Sequence, residues 1–191
     1  MSGPYRTIVV DPPWPFQWGG GKGGRRRRET ELGYRTMTID EIAALPILEL
    51  ANDDGAFLFL WATDEVYREG QAVKVARAWG FEPCGPSLIW SKPNYGMGYF
   101  PRPSHEPLLV CRRGDVKWKQ VPEAVGTASV QTWRIGRAAQ NGGKVHSQKP
   151  DGALDLIERV APGPYAELFA RRARFGWEYP IGDQALGGVA A

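Results

Sequence analysis

Cysteine and histidine are scarce in this 191-residue chain: Cys84 and Cys111 stand far apart with no CxxC spacing, and His105 and His146 are its two imidazoles. A zinc centre needs a close-spaced tetrahedral set of such ligands, so no metal is expected. Long apolar runs are also missing. No stretch approaches the roughly 20 residues of a membrane-spanning helix, and the short polar amino terminus lacks a signal-peptide pattern. Neither sign of charge dominates, with 24 Lys and Arg against 21 Asp and Glu, a net charge of +3. These absences point to a cytoplasmic, reduced protein without a membrane segment.

What is abundant is turn chemistry and aromatic surface: 24 Gly, 16 Pro and 8 Trp, in a chain of ordinary 42% hydrophobic content. That mix implies many tight turns and aromatic-lined loops. With no linker dividing it, the chain reads as one domain over residues 1–191. Its basic residues are bunched, with Arg25, Arg26, Arg27 and Arg28 in one block and Arg171, Arg172 and Arg174 in another. For polyanion contacts, clustering matters more than the total.

The most informative junction lies near the front, where the apolar run Ile8-Val9-Val10 meets Asp11-Pro12-Pro13-Trp14. The β-branched run reads as a buried strand, and two prolines must end it because neither donates a backbone hydrogen bond. One carboxylate and one large aromatic are left at the carboxyl end of that strand, where open α/β sheets place ligands. Asp11 and the proline carbonyls offer acceptors to an exocyclic amino group, and a Trp face can stack on a flat heterocycle. An ordinary turn beside a core aromatic is the competing reading.

Further along, strands and helices alternate. Residues 16–33 are Gly- and Arg-rich without apolar period and read as a long loop. Thr38 and Glu41 form a capping box for a helix that Pro46 limits. The continuous apolar run Ala56 to Trp61 reads as a central strand covered on both faces. Thr63 or Asp64 caps a helix carrying Val66, Val73, Ala76 and Trp79, which ends at Gly80. Leu88-Ile89-Trp90 and Leu108 to Cys111 are further strands, and Ser129 to Ile135 is a possible one. The loop from Pro93 to Ser104 carries Asn94, Tyr95, Tyr99, Phe100 and Arg102, suited either to bases or to inward packing. Lys149-Pro150 opens a helix with Ala153, Leu154, Ile157 and Val160 on one face. Tyr165 to Ala170 makes a last strand, and residues 185–191 a disordered tail. Repeated strand-helix-strand order implies an α/β fold, a mostly parallel sheet with helices on both faces.

Asp11-Pro12-Pro13-Trp14, Tyr34-Arg35-Thr36-Met37, Phe57 to Trp61, Ser104-His105-Glu106, His146 to Pro150 and Glu167 to Arg171, in that order, resemble the Asp-Pro-Pro-Trp adenine-N6 methyltransferases. This family includes the catalytic subunit that makes N6-methyladenosine in eukaryotic messenger RNA, as well as small bacterial and phage members. The resemblance implies a Rossmann-like class I methyltransferase with permuted motif order, using S-adenosylmethionine. It assigns Asp11, Pro12, Pro13 and Trp14 to catalysis. The Asp11 carboxylate and Pro12 carbonyl would accept the two N6 hydrogens, and Trp14 would contact the base or cofactor. Tyr34 would close the pocket, and Trp61, Tyr99, Arg102, Arg26 and Arg27 would serve the substrate. Asp11, Lys149, Phe169, Arg171, Asp183 and Gln184 would hold the cofactor.

The chain departs from the family pattern in three places. It starts almost at the catalytic strand, so an acidic cofactor contact from an earlier strand must be absent or replaced. Ala170 stands where Gly is usual, and Arg174 where some relatives have Asn. Nucleic acid is the expected partner, since a base must be extruded or taken from a single strand. Arg25 to Arg28 and Arg102 would grip phosphates without reading sequence. DNA is expected ahead of RNA because no RNA-binding domain is appended. An RNA methyltransferase and a catalytically silent nucleic-acid-binding subunit stay open, as does a homodimer or partner subunit. The host would be a bacterial or phage-infected cell, and His105 and His146 are read as structural.

Overall fold

The computed structural model describes residues 3–15, 35–93, 100–134 and 148–181. The expected strand forms β1 (Thr7–Val10), wholly buried, followed by α1 (Ile39–Ala43) and α2 (Ile47–Leu50). The capping box at Thr38 is present in both directions: the Glu41 amide donates to the Thr38 hydroxyl, and the Thr38 amide donates to the Glu41 carboxylate. Pro46 separates the two short helices. The central strand β2 (Gly55–Trp61) is buried at every residue.

After β2 the expected single helix is two, α3 (Asp64–Arg68) and α4 (Gln71–Ala78). Gly70, at φ +72°, breaks the run in a left-handed conformation that side chains other than glycine adopt at a cost. Thr63 caps α3 through its hydroxyl. Then come β3 (Glu82–Pro83), β4 (Leu88–Ser91), β5 (His105–Gly114), α5 (Pro122–Gly126), β6 (Val130–Gln131), α6 (Asp151–Val160), β7 (Tyr165–Leu168) and β8 (Trp177–Glu178). The strand β5 is longer than its apolar centre suggested, and β6 is shorter than the stretch Ser129 to Ile135. Pro150 caps α6 from outside instead of starting its first turn.

The sheet runs β6-β4-β5-β2-β1-β7-β8, with β3 paired to β5. Pairings β1–β2, β1–β7, β4–β6 and β7–β8 are parallel, whereas β5 lies antiparallel to β2, β3 and β4. The sheet is mostly parallel, as expected, and the antiparallel β5 has a plain cause. Strands β4 and β5 are consecutive and pair directly, so the chain doubles back. Helices cover both faces. Ile8, Val10, Leu58 and Leu60 pack with Ile42, Val66, Val75 and Trp79, while Val9, Phe57, Phe59 and Trp61 pack with Leu154, Leu156 and Ile157. Each such fully buried side chain contributes about 1.5–3 kcal/mol. Among the described residues no helix is long and apolar enough to cross a membrane.

Strand β1 lies between β2 and β7, and the helices α1 and α2 after β1 pack on one face of the sheet while α6 before β7 packs on the other. A crevice therefore opens between the carboxyl ends of β1 and β7. Asp11 and Phe169, the residues just past those two ends, face that crevice.

Candidate active site at the carboxyl edge of the sheet

The Asp11 amide extends the sheet by one bond, donating to the Leu168 carbonyl at 3.4 Å, and there the ladder stops because Pro12 and Pro13 have no N–H. Their carbonyls are put to use: Pro12 accepts from the Trp14 amide and Pro13 from the Met37 amide, each at 2.8 Å. A carbonyl oxygen has two lone pairs, so Pro12 retains one for a further donor. The corner is braced by Trp14, which is buried in the core and whose indole N–H donates to the Trp61 carbonyl at 2.8 Å. The structure thus gives Trp14 the bracing role; its ring is not an open stacking face.

Four charged side chains alternate in sign behind the corner. Lys149 places its ammonium 2.7 Å from Asp11 Oδ2, 3.4 Å from Glu106 Oε2 and 5.5 Å from the centre of the Trp61 ring. Lys92 contacts the other Glu106 oxygen. Trp61 is itself almost wholly buried, edge-on to Trp90 with ring centres 6.3 Å apart, and supports Lys149 from below. Burial raises the Asp11 carboxyl above its ordinary value, and Lys149 opposes that rise. For Glu106 burial also pushes upward, but Lys149 and Lys92 outweigh it and hold the carboxyl low. Burial works against the Lys149 ammonium as well, yet Asp11 and Glu106 overcome it and keep the lysine charged.

Across the crevice, Glu167 lies on β7 opposite Val9, and its carboxyl is raised to about 7, first by burial and then by the charge of Asp11. Asp11, Lys149, Glu167, Phe169 and Arg171 line one cleft, with Pro150 and Leu154 at its wall. Phe169 turns the chain out of β7 at φ +59°, and its amide donates to the Ile181 carbonyl at 3.2 Å. A non-glycine residue held there carries strain of about 1–3 kcal/mol, a mark of a constrained site. This donor set fits S-adenosylmethionine: Lys149 and Arg171 suit a carboxylate, Asp11 and Glu167 suit ammonium, sulfonium or hydroxyl groups, and Phe169 suits a flat base.

The structure therefore brings together Asp11, Pro12, Pro13, Lys149, Phe169 and Arg171, with Trp14 and Trp61 beneath them. Arg102 is exposed on the segment that leads into β5 at the same edge. Tyr34, Tyr99, Arg26, Arg27, Asp183 and Gln184 lie outside the described residues, as do the loop 16–33 and the tail 185–191. Glu106 and Glu167 were not singled out for chemistry in the sequence. Their signal was there to read: each is a lone acid set against an apolar strand, a placement that is costly unless paired or used. His105 contacts Asp64 at 3.3 Å, beside the site and outside its charged row. Among the described residues no group of His, Cys, Asp and Glu is arranged to hold a metal.

A family model, MT-A70, matches residues 5–184. The chain belongs to the MT-A70 family. MT-A70 membership makes it a methyltransferase by family. It is 27% identical over 192 residues to the Type II methyltransferase M.MunI of a Mycoplasma species, covering 91% of this chain and 75% of that protein. It is 28% identical over 182 residues to the human N(6)-adenosine-methyltransferase catalytic subunit METTL3, covering 90% of this chain and 26% of that protein. The zebrafish N(6)-adenosine-methyltransferase subunit METTL3 is 30% identical over 188 residues, again with 26% of its length covered. The chain thus spans three quarters of one relative and about a quarter of the MT-A70 subunits of eukaryotes.

Proposed function

We propose that this MT-A70 chain transfers a methyl group from S-adenosylmethionine to N6 of adenine in nucleic acid, with DNA as the first substrate and RNA as the second. The observation that carries this reading is the Asp11 carboxylate, held by Lys149 at 2.7 Å and facing Phe169 and Arg171 across the crevice between β1 and β7. DNA comes first because a type II methyltransferase is matched along 75% of its length, against 26% for the N6-adenosine enzyme.

The adenine amino group is a poor nucleophile because its lone pair is delocalised into the ring. Asp11 and Pro12 accept its two hydrogens and hold the nitrogen nearer to tetrahedral, which frees the lone pair and orients it. Lys149 keeps Asp11 available as an acceptor, and Glu106 with Lys92 keeps Lys149 charged and in place. The positive charge that grows on N6 is stabilised by the Asp11 carboxylate, and the surplus proton leaves toward it or to solvent. Lys149, Phe169, Arg171 and Glu167 would hold the cofactor, which when bound supplies an electrophilic methyl group on a sulfonium. Arg102 and the block Arg25 to Arg28 would contact phosphates.

Incubation with isotopically labelled S-adenosylmethionine and matched DNA and RNA oligonucleotides, followed by nucleoside mass spectrometry, tests the proposal. N6-methyldeoxyadenosine should form, and Asp11→Ala should reduce it about a hundred- to a thousandfold, the scale of losing a main electrostatic stabiliser. Label on RNA alone would exchange the two substrates. Cofactor binding without transfer to either would point to a silent subunit and overturn the catalytic reading.

A further inference from the structure

The arginines of the turn between β7 and β8 do different things. Arg171 and Arg172 line the cleft, Arg172 also reaches back to α6, and Arg174 reaches α6 alone. That helix has two faces. Leu154, Leu156, Ile157 and Val160 are buried, while Asp151, Asp155 and Glu158, four and three residues apart, run as a polar stripe along the side that meets the turn. Arg172 forks Asp151, with one contact at 2.7 Å. Arg174 forks Glu158 through Nε at 2.8 Å and Nη2 at 2.7 Å, and Nη2 also meets Asp155 at 2.6 Å. Trp177, at the start of β8, donates its indole N–H to the same Glu158 carboxylate at 2.6 Å, and the Tyr179 hydroxyl bonds the backbone of Arg174.

We propose that Arg174 is a positioning residue for the methyl donor: its fork onto Glu158 and Asp155 fixes the turn carrying Phe169 and Arg171 to the helix that begins just after Lys149. Two facts make that coupling more than fold maintenance. Lys149, just before α6, and Arg171, in the turn, both line one cleft, so the spacing between the turn and α6 shapes the site. The β7–β8 ladder does not span the turn, since Leu168 is the last residue of β7 and Trp177 the first of β8; the ties of the turn to α6 are the Arg172–Asp151 pair at its start and the Arg174 fork further along. A bidentate guanidinium–carboxylate pair fixes distance and direction together, which a single ammonium contact does not.

The inference rests on the cofactor reading of the cleft, and the test separates the two. The intact chain, as wild type, Arg174→Met, Arg174→Lys, Glu158→Gln and the Arg174→Met/Glu158→Gln pair, is titrated with S-adenosylhomocysteine by calorimetry and followed by amide hydrogen exchange. Arg174→Met and Glu158→Gln should each weaken binding about tenfold, equivalent to about 1.4 kcal/mol. The pair should lose less than the sum of the two single variants, because both remove the shared Arg174–Glu158 fork. Arg174→Lys should recover part of the loss. In turnover, KM for the donor should rise while kcat at saturating donor and KM for nucleic acid stay near wild type. Exchange should quicken at residues 169–176 and not in β1 or β2. Wild-type affinity in Arg174→Met, or a change in KM for nucleic acid in place of donor, would overturn the positioning role. A wild-type chain that binds no S-adenosylhomocysteine would refute the cofactor reading instead, and unchanged exchange at 169–176 in Arg174→Met would then refute the clamp as well.

Discussion

Replacing Lys149 with methionine keeps the length of the side chain and removes the cation that faces Asp11 at 2.7 Å and Glu106 at 3.4 Å. At an effective dielectric near 20, those separations correspond to gross attractions of about 6 and about 5 kcal/mol. Most of this is cancelled by the cost of holding the charges out of water, and breaking a buried pair from one side costs about 3–5 kcal/mol in practice. The Lys149→Met protein should lose that much stability at pH 8. The loss should depend on pH. With the ammonium gone, the folded-state pKa of Asp11, already raised by burial, rises further, while Glu106 loses one of the two lysines that hold it low. Asp11 then contributes stability that is full below its unfolded value and is lost as pH climbs through the raised one. The deficit against wild type should therefore shrink as pH falls from 8 to 5. Urea unfolding followed by tryptophan fluorescence at both pH values measures it, and adding Asp11→Asn to Lys149→Met should restore part of the stability. An equal deficit at pH 5 and pH 8, or one under about 1 kcal/mol, would refute the electrostatic account of the site.

Glu167 titrates at about 7, so its protonated form is favoured in the folded state and stability should fall as pH rises from about 4.5 to about 7. Glu167→Gln should remove up to about 3 kcal/mol of that fall, read from unfolding midpoints across the pH range; an unchanged slope would show that the carboxyl is not buried as described. Trp14→Phe leaves the Trp61 carbonyl without its donor and should cost about 1–3 kcal/mol in denaturant unfolding. Because Trp14 braces the corner from the core, methyl transfer by that variant should persist within about tenfold, and complete loss of transfer with native stability would restore a stacking role.

The corner at Asp11 was legible because its physics is local: a β-branched run, then two residues that cannot donate, forces a strand to end at a carboxylate. The Thr38 capping box and the buried run of β2 were legible for the same reason, each being written in adjacent residues. What escaped depended on contacts between distant parts of the chain. The helix after Thr63 has one apolar stripe in sequence, yet Gly70 turns left-handed and splits it. The direction of β5 follows from its direct pairing with β4, which a strand-by-strand reading does not weigh. Glu106 stands out in sequence as a lone acid beside an apolar run, but its partners appear only once β5 brings it beside Lys92 and Lys149, residues far from it along the chain. The split of duty among Arg171, Arg172 and Arg174 likewise exists only when α6 is packed against the turn. The cluster of arginines was visible, and its partners were not.

A crystal structure of the chain with a non-reactive S-adenosylmethionine analogue and an adenine-containing oligonucleotide tests the central claim most directly. The account predicts the adenine N6 within about 2.7–3.2 Å of both the Asp11 carboxylate and the Pro12 carbonyl, on the side of the crevice that faces Phe169 and Arg171. An adenine bound with its amino group turned to other acceptors, or Asp11 engaged by Lys149 alone, would contradict it.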